Sequence, residues 1–247
     1  MDYAKITRKY YAHWLGTEAE EIFKQGVDFI YSDQRNLVQK GYAQPYDIYI
    51  WMAENRIIVS YGDKAASKIQ PLKDRINSSM APEDVVHHVQ SIWGIVPHKH
   101  IKFSYDSLPA LETKSHKMTA DDFMLYQAFF KECNPNIRDV DWLEEYYFEM
   151  LKFGFCYGEI ISNKLVCMND LPDMPYMENE VREIGINTLP EYRGKGLAKR
   201  VCISCIHDMV RLNICPQWST VYANEASLRL ALSVGFEKRA DVLTVSL

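Results

Sequence analysis

Apolar and polar positions along this chain follow two periods, and the places where the period changes mark its elements. Asp47–Tyr61 alternates closely enough to predict two strands around an Ala53-Glu54-Asn55-Arg56 turn, and residues 98–105 predict a further strand. Helical spacing predicts helices over Thr17–Phe29, Lys64–Ile76 and Ser79–Trp93. Thr17 with Glu20 reads as a capping box, and Pro82 with Glu83 and Asp84 suits a first helical turn. Beyond a polar stretch between Leu108 and His116, helices are predicted from Thr119 to about Cys133 and over Asp141–Phe153. Strands follow over Phe155–Ser162 and Lys164–Met168, hinged on Asn163, and then over Val181–Leu189. Ala198, Val201, Cys202, Cys205, Met209 and Leu212 recur at helical spacing, so a helix should run on to about Ile214. A strand over Ser219–Ala223, a helix from Asn224 and a strand over Asp241–Ser246 complete the pattern. The class is α+β, with a smaller N-terminal α+β part (residues 1–110) of unassigned role and a second part over residues 111–247.

Composition narrows the function classes. At 247 residues and 47% hydrophobic, the chain can bury one large core or two modest ones. Its longest apolar runs are a few residues, which excludes a helical membrane span, and Met1–Lys5 lacks the apolar core of a signal peptide. Six cysteines then read as reduced thiols, and a cytoplasmic location is expected. Cys202 and Cys205 sit within a predicted helix without a second cysteine pair, so they are expected to pack in the core. His98 and His100 share a strand face, but no ligand cluster joins them, and no metal is expected.

The net charge of −5 is unevenly placed. Positions 139–183 hold 11 acids against Lys152, Lys164 and Arg182, whereas positions 191–211 carry five bases against Glu191 and Asp208. A basic patch beside an acidic one suits an enzyme with an anionic co-substrate and a cationic acceptor. No basic stripe interleaved with aromatics is present, so nucleic acid is not an expected partner.

The most informative segment is Pro190-Glu191-Tyr192-Arg193-Gly194-Lys195-Gly196-Leu197-Ala198, at a strand-to-helix junction. Unpaired N–H groups of a first helical turn and the helix dipole favour an anion there, and glycine allows close approach. The spacing is neither that of a nucleotide P-loop nor that of a dinucleotide fingerprint. Arg193-x-x-Gly196-x-Ala198 resembles the Arg/Gln-x-x-Gly-x-Gly/Ala loop of the GNAT superfamily of N-acyltransferases. Asn224-Glu-Ala-Ser227, followed by Gly235-Phe236, resembles that family's Asn-x-x-Ser/Ala…Gly-Phe helix. The resemblance covers about residues 112–247 and implies a mixed, mostly antiparallel sheet flanked by helices.

It also implies transfer of acetyl from acetyl-CoA to a primary amine by direct attack, with CoA as product. The pyrophosphate would lie on Arg193, Gly194, Lys195, Gly196, Leu197, Ala198 and Lys199. The pantetheine arm would pair with Ile186, Asn187 and Thr188, and Asn224 would contact the cofactor. Glu183 and Glu180 are the candidate bases for the amine; alternation along a strand lets one parity face the site. Many relatives carry a tyrosine seven residues after the asparagine as acid for the thiolate, but Ala231 stands here, leaving Tyr222 or water. That departure keeps a non-catalytic acetyl-CoA sensor as the alternative. The acidic, aromatic segments Asp141–Phe153 and Asp170–Glu178 suggest a cationic small-molecule or peptide amine with an apolar or planar part. The N-terminal half is expected to complete that pocket as a lid, to dimerise the chain, or to be a degenerate copy of the same fold.

Overall fold

The computed structural model describes residues 2–105 and 113–247. Strands β1 (Gly26–Tyr31), β2 (Ile48–Ala53), β3 (Arg56–Tyr61) and β4 (His98–Tyr105) come from the first half. Helices α1 (Tyr3–Leu15), α2 (Asp63–Ala66), α3 (Gln70–Lys73) and α4 (Pro82–Trp93) surround them. The second half runs β5 (His116–Lys117), α5 (Phe123–Cys133), α6 (Leu143–Lys152), β6 (Tyr157–Ile161) and β7 (Lys164–Asp170). It continues β8 (Val181–Glu183), β9 (Gly185–Thr188), α7 (Leu197–Arg211), β10 (Cys215–Val221), α8 (Glu225–Ser233) and β11 (Phe236–Val245).

Seven strands form one sheet in the order β1-β3-β2-β11-β4-β10-β8, and four form a second in the order β5-β6-β7-β9. Among the described residues only the β1–β3 and β8–β10 pairs are parallel. The two halves share the larger sheet. β11, from the end of the chain, is hydrogen-bonded to β2 on one edge and β4 on the other. The sheet therefore does not divide between residues 110 and 111, and the expected boundary, from Leu108-Pro109 to His116, lies partly outside the described residues. β11 can hold this central position because both its faces are apolar: Ala240 and Val242 pack beneath α1, while Leu243 and Val245 pack against the core under α2–α4.

Most predicted elements form near their expected positions, and three differ for local reasons. Thr17–Phe29 is not one helix: a 3₁₀ turn over Ala19–Phe23 ends before Gly26, whose φ of +106° interrupts the spiral and starts β1. The Lys64–Ile76 helix is split into α2 and α3 just before Pro71, which lacks the N–H needed for a continuous ladder. The Val181–Leu189 strand is broken at Ile184 into β8 and β9, with consequences for the site. Asn163 turns the β6–β7 hairpin as expected, with Ser162 and Asn163 both left-handed at φ +51° and +60°. Cys202 and Cys205 are fully buried on α7, and burial pushes both thiols up, away from reactivity. Among the described residues no helix is long and apolar enough to cross a membrane.

Candidate active site

The break at Ile184 sends one strand into two sheets. β8 pairs with β10 from Cys215–Val181 to Gln217–Glu183, and the Ile184 amide still donates to the Gln217 carbonyl at 3.1 Å. From Gly185 onward the chain pairs instead with β7, up to Thr188 opposite Cys167. β9 and the later half of β10 therefore diverge, and a cleft of about 990 Å³ opens between them. Leu189 donates to Val166 at 2.9 Å, so odd-numbered amides of β9 face β7. Alternation then turns the amides of Ile186 and Thr188 toward the cleft, where an extended ligand can add as a strand.

The far end of the cleft is closed by the glycine turn. Pro190–Tyr192 forms a 3₁₀ turn, Gly194 and Gly196 follow at φ +73° and +77°, and α7 begins at Leu197. A side chain would meet nothing within 4 Å at either glycine, so backbone conformation rather than crowding calls for glycine there. Arg200 makes the first α-helical hydrogen bond, to Gly196, so the amides from Gly194 to Lys199 precede the ladder. Arg193 is held by an Nε bond to the Thr188 carbonyl at 3.0 Å, which ties the turn to β9. Lys195 sets its ammonium over the Tyr192 ring, 4.9 Å from the centroid, and is the one expected cofactor residue absent from the cleft lining.

The opposite wall is α8. Asn224 caps it by accepting the Ser227 amide at 3.1 Å through its side-chain oxygen, and both residues line the cleft. Trp218 donates its indole N–H to the Ser227 hydroxyl at 3.0 Å, which locks the helix to β10. Ser219, Thr220, Arg229 and Ser233 also line the cleft. None of them was singled out in the sequence; only their place after or around the Asn-x-x-Ser helix marked them.

The three catalytic candidates fall in different places. Glu183 is outside the cleft lining; it faces a small hollow beneath α1 that shares Ser219 with the cleft, with Oε1 3.5 Å from the Lys102 ammonium. Glu180 precedes β8, is half exposed and pairs with Lys9 at 3.1 Å. It does not line the cleft. Tyr222 lies past the end of β10, outside the cleft lining. Burial and a hydrogen bond to Asp241 raise its phenol well above the usual range, so it is a poor proton donor to anything else. Ala231 is fully buried in the core behind α8.

A second hollow of about 270 Å³ opens beside Asn187, between β7 and the α5–α6 pair. Tyr126, Phe130, Trp142 and Tyr146 wall it, and Tyr146 donates to Asp170. This brings part of the acidic, aromatic segments named above next to the cleft.

Strands that part around an edge-open cleft, closed by a glycine turn at a helix start, define an acyltransferase-type fold. Residues 139–242 match the family described as GNAT acetyltransferase, and the N-terminal α+β region lies outside that match. Among solved structures, a GNAT-family acetyltransferase from Colwellia psychrerythraea superposes with a TM-score of 0.51 at 16% identity, over 60% of this chain and 56% of that one. A GCN5-related N-acetyltransferase from Sphaerobacter thermophilus gives 0.52 at 12% identity, over 65% and 55%. One from Novosphingobium aromaticivorans, described as a putative GNAT-family acetyltransferase, gives 0.46 at 24% identity, over 61% and 64%. The chain thus covers less than two thirds of each of these proteins. No curated protein matches it.

Proposed function

We propose that this protein transfers the acetyl group of acetyl-CoA to a primary amine by direct attack within a ternary complex. The observation that carries the reading is the open edge of β9, where the Ile186 and Thr188 amides face a cleft that ends at the Gly194–Lys199 turn. The residues fit such a co-substrate: an extended amide-bearing arm matches the strand edge, and a pyrophosphate matches the amides before the α7 ladder.

Acetyl-CoA supplies an acetyl thioester: the amine lone pair forms the new C–N bond as the C–S bond breaks, and CoA leaves as the thiol. The Ile186 amide, near the point where β9 and β10 part, would polarise the carbonyl oxygen and hold the negative charge it develops. An ammonium has no lone pair, so a group near the acceptor must take its proton. Glu183 faces the hollow that shares Ser219 with the cleft, and we assign it that role; Glu180 is held at the surface by Lys9. With Ala231 buried and Tyr222 turned to Asp241, the departing sulfur takes its proton from water.

The same absence of a phenol at position 231 supports a second reading, a non-catalytic acetyl-CoA sensor. An amine panel scored by release of free thiol separates the two. Amine-dependent release supports transfer, and acetyl-CoA binding without release by any amine supports the sensor.

A further inference from the structure

The hollow beside Asn187 sets four rings around one carboxylate. Phe130 meets Trp142 edge-on at 5.4 Å between centroids, Trp142 meets Tyr146 edge-on at 5.7 Å, and Tyr126 lies 6.2 Å from Phe130. Trp142 is 44% exposed and Tyr126 only 5%, so the wall runs from the surface inward. Tyr146 donates its phenol proton to Asp170 Oδ1, which also accepts the Leu171 amide at 2.9 Å. The other oxygen, Oδ2, takes no hydrogen bond and no ion pair among the described residues. Asp170 is the one carboxylate lining the hollow, and no described Lys, Arg or His lines it. Arg182 is held over the Phe153 ring at 3.7 Å and Arg193 by the Thr188 carbonyl, and neither pairs with Asp170. Burial, and then the Asp170 carboxylate, raise the Tyr126 and Tyr146 phenols, which therefore stay neutral. A half-buried carboxylate among neutral rings, with one oxygen unanswered, is a place for a cation.

The unanswered oxygen lies against the wall of the cleft. Asp170 stands opposite Gly185 in the β7–β9 ladder, so the two residues share a sheet face. A Cβ placed on Gly185 would come within 3.0 Å of the Asp170 Cβ and 3.6 Å of Oδ2. Gly185 is not left-handed, so the close approach of Asp170, rather than backbone conformation, calls for glycine here. Gly185 lines the cleft, and Asn187 lines both the cleft and the hollow. The two spaces therefore adjoin along Gly185–Asn187, with Asp170 Oδ2 at their border.

We propose that this hollow holds the acceptor and that the acceptor is an arylalkylamine, its ring among Tyr126, Phe130, Trp142 and Tyr146 and its ammonium on Asp170 Oδ2, beside Gly185. This rests on the transfer reading above and names the substrate class. A cavity of about 150 Å³ takes a benzene ring, so one of about 270 Å³ has room for a ring and a short chain. The four rings offer a guest ring edge-on and offset contacts, and the carboxylate gives the ammonium a charge-assisted hydrogen bond. Glu183, which is proposed to take the proton, precedes Gly185 by two residues.

The test uses the full chain with saturating acetyl-CoA and compares 2-phenylethylamine with n-propylamine. The proposal expects kcat/KM for the aryl amine to be about tenfold higher or more. Asp170→Asn keeps an oxygen for Tyr146 and Leu171, so the fold should stand. It should raise KM for 2-phenylethylamine about tenfold or more and leave acetyl-CoA affinity, titrated separately, unchanged. Trp142→Ala, at an exposed ring, should narrow the preference between the two amines, and this result decides if Asp170→Asn does not fold. Equal use of both amines, an unchanged KM in Asp170→Asn, or an unchanged preference in Trp142→Ala overturns the proposal. If no amine releases thiol, calorimetry with 2-phenylethylamine decides. Heat in the wild type that both variants lose keeps the hollow while the transfer reading falls; no heat in the wild type, or heat that both variants retain, ends the proposal.

Discussion

Ile184 donates its amide to the Gln217 carbonyl at 3.1 Å, and beyond that bond the two strands part. Everything assigned to the site is arranged around this point. Downstream, the Ile186 and Thr188 amides open onto the cleft; upstream, Glu183 is held against β10 beneath α1. The bond thus sets the distance between the edge proposed to take the thioester and the carboxylate proposed to take the proton.

Glu183→Gln and Glu180→Gln separate the two candidate bases. Glu183→Gln should lower kcat/KM at neutral pH by about 10²–10⁴-fold while acetyl-CoA affinity holds. Glu180→Gln should stay close to wild type, because its exposed pair with Lys9 adds little to stability and it lines neither the cleft nor the hollow that shares Ser219 with it. Steady-state rates and binding titrations on both variants decide; the reverse pattern would move the base to the surface.

Asn224 serves two purposes that substitution can separate. Asn224→Ala removes the cap on the Ser227 amide and should cost about 1 kcal/mol in denaturant unfolding. Asn224→Asp keeps an oxygen for that amide, and a carboxylate favours a helix start, so stability should be retained. Placed in a cleft for a polyanion, the same charge should weaken acetyl-CoA binding.

Ala231→Tyr would restore the residue type that relatives carry at this position. Here Ala231 is fully buried in the core, so the ring has no room. We expect a loss of about 1–3 kcal/mol from overpacking and no gain in rate. Unfolding midpoints and initial rates check both halves of that statement.

Asp208 predicts an acid-side dependence of stability. Burial opposes its charge, but bonds from Lys117 at 2.7 Å and from Tyr157, with the Lys117 and Arg211 charges, outweigh burial and hold the carboxyl below its usual range. A depressed carboxyl adds stability above its unfolded value, about 3.9, and loses it as pH falls through the folded one. Asp208→Asn should therefore be less stable than wild type at neutral pH, with the gap closing only below about pH 4. A gap that persists unchanged at lower pH would contradict this.

The sequence carried the cleft better than the hollow beneath it, for physical reasons. Gly194 and Gly196 announce themselves because a left-handed turn before a helix demands glycine, and Asn224 because few side chains cap a helix well. Glu183 was legible only as one of two candidates, since alternation fixes a strand face but not where the strand breaks. Trp14, Tyr42, Tyr46 and Tyr49 are spread over α1, a connection and β2, and nothing local marks them as neighbours. The central position of β11 joins the two halves in one sheet, and these rings wall a hollow that shares Ser219 with the cleft. α1 itself was missed, although Tyr10, Tyr11, Trp14 and Leu15 are among the most buried residues of the chain.

The central claim is that the cleft between β9 and α8 holds acetyl-CoA by the Gly194–Lys199 turn. Calorimetric titration of the wild type and of Gly196→Glu with acetyl-CoA tests it most directly, with thermal unfolding of both to show that the variant folds. The account predicts saturable binding by the wild type that the variant loses, because the new side chain sets a carboxylate where the pyrophosphate would lie. No binding by the wild type, or equal binding by both, would contradict it.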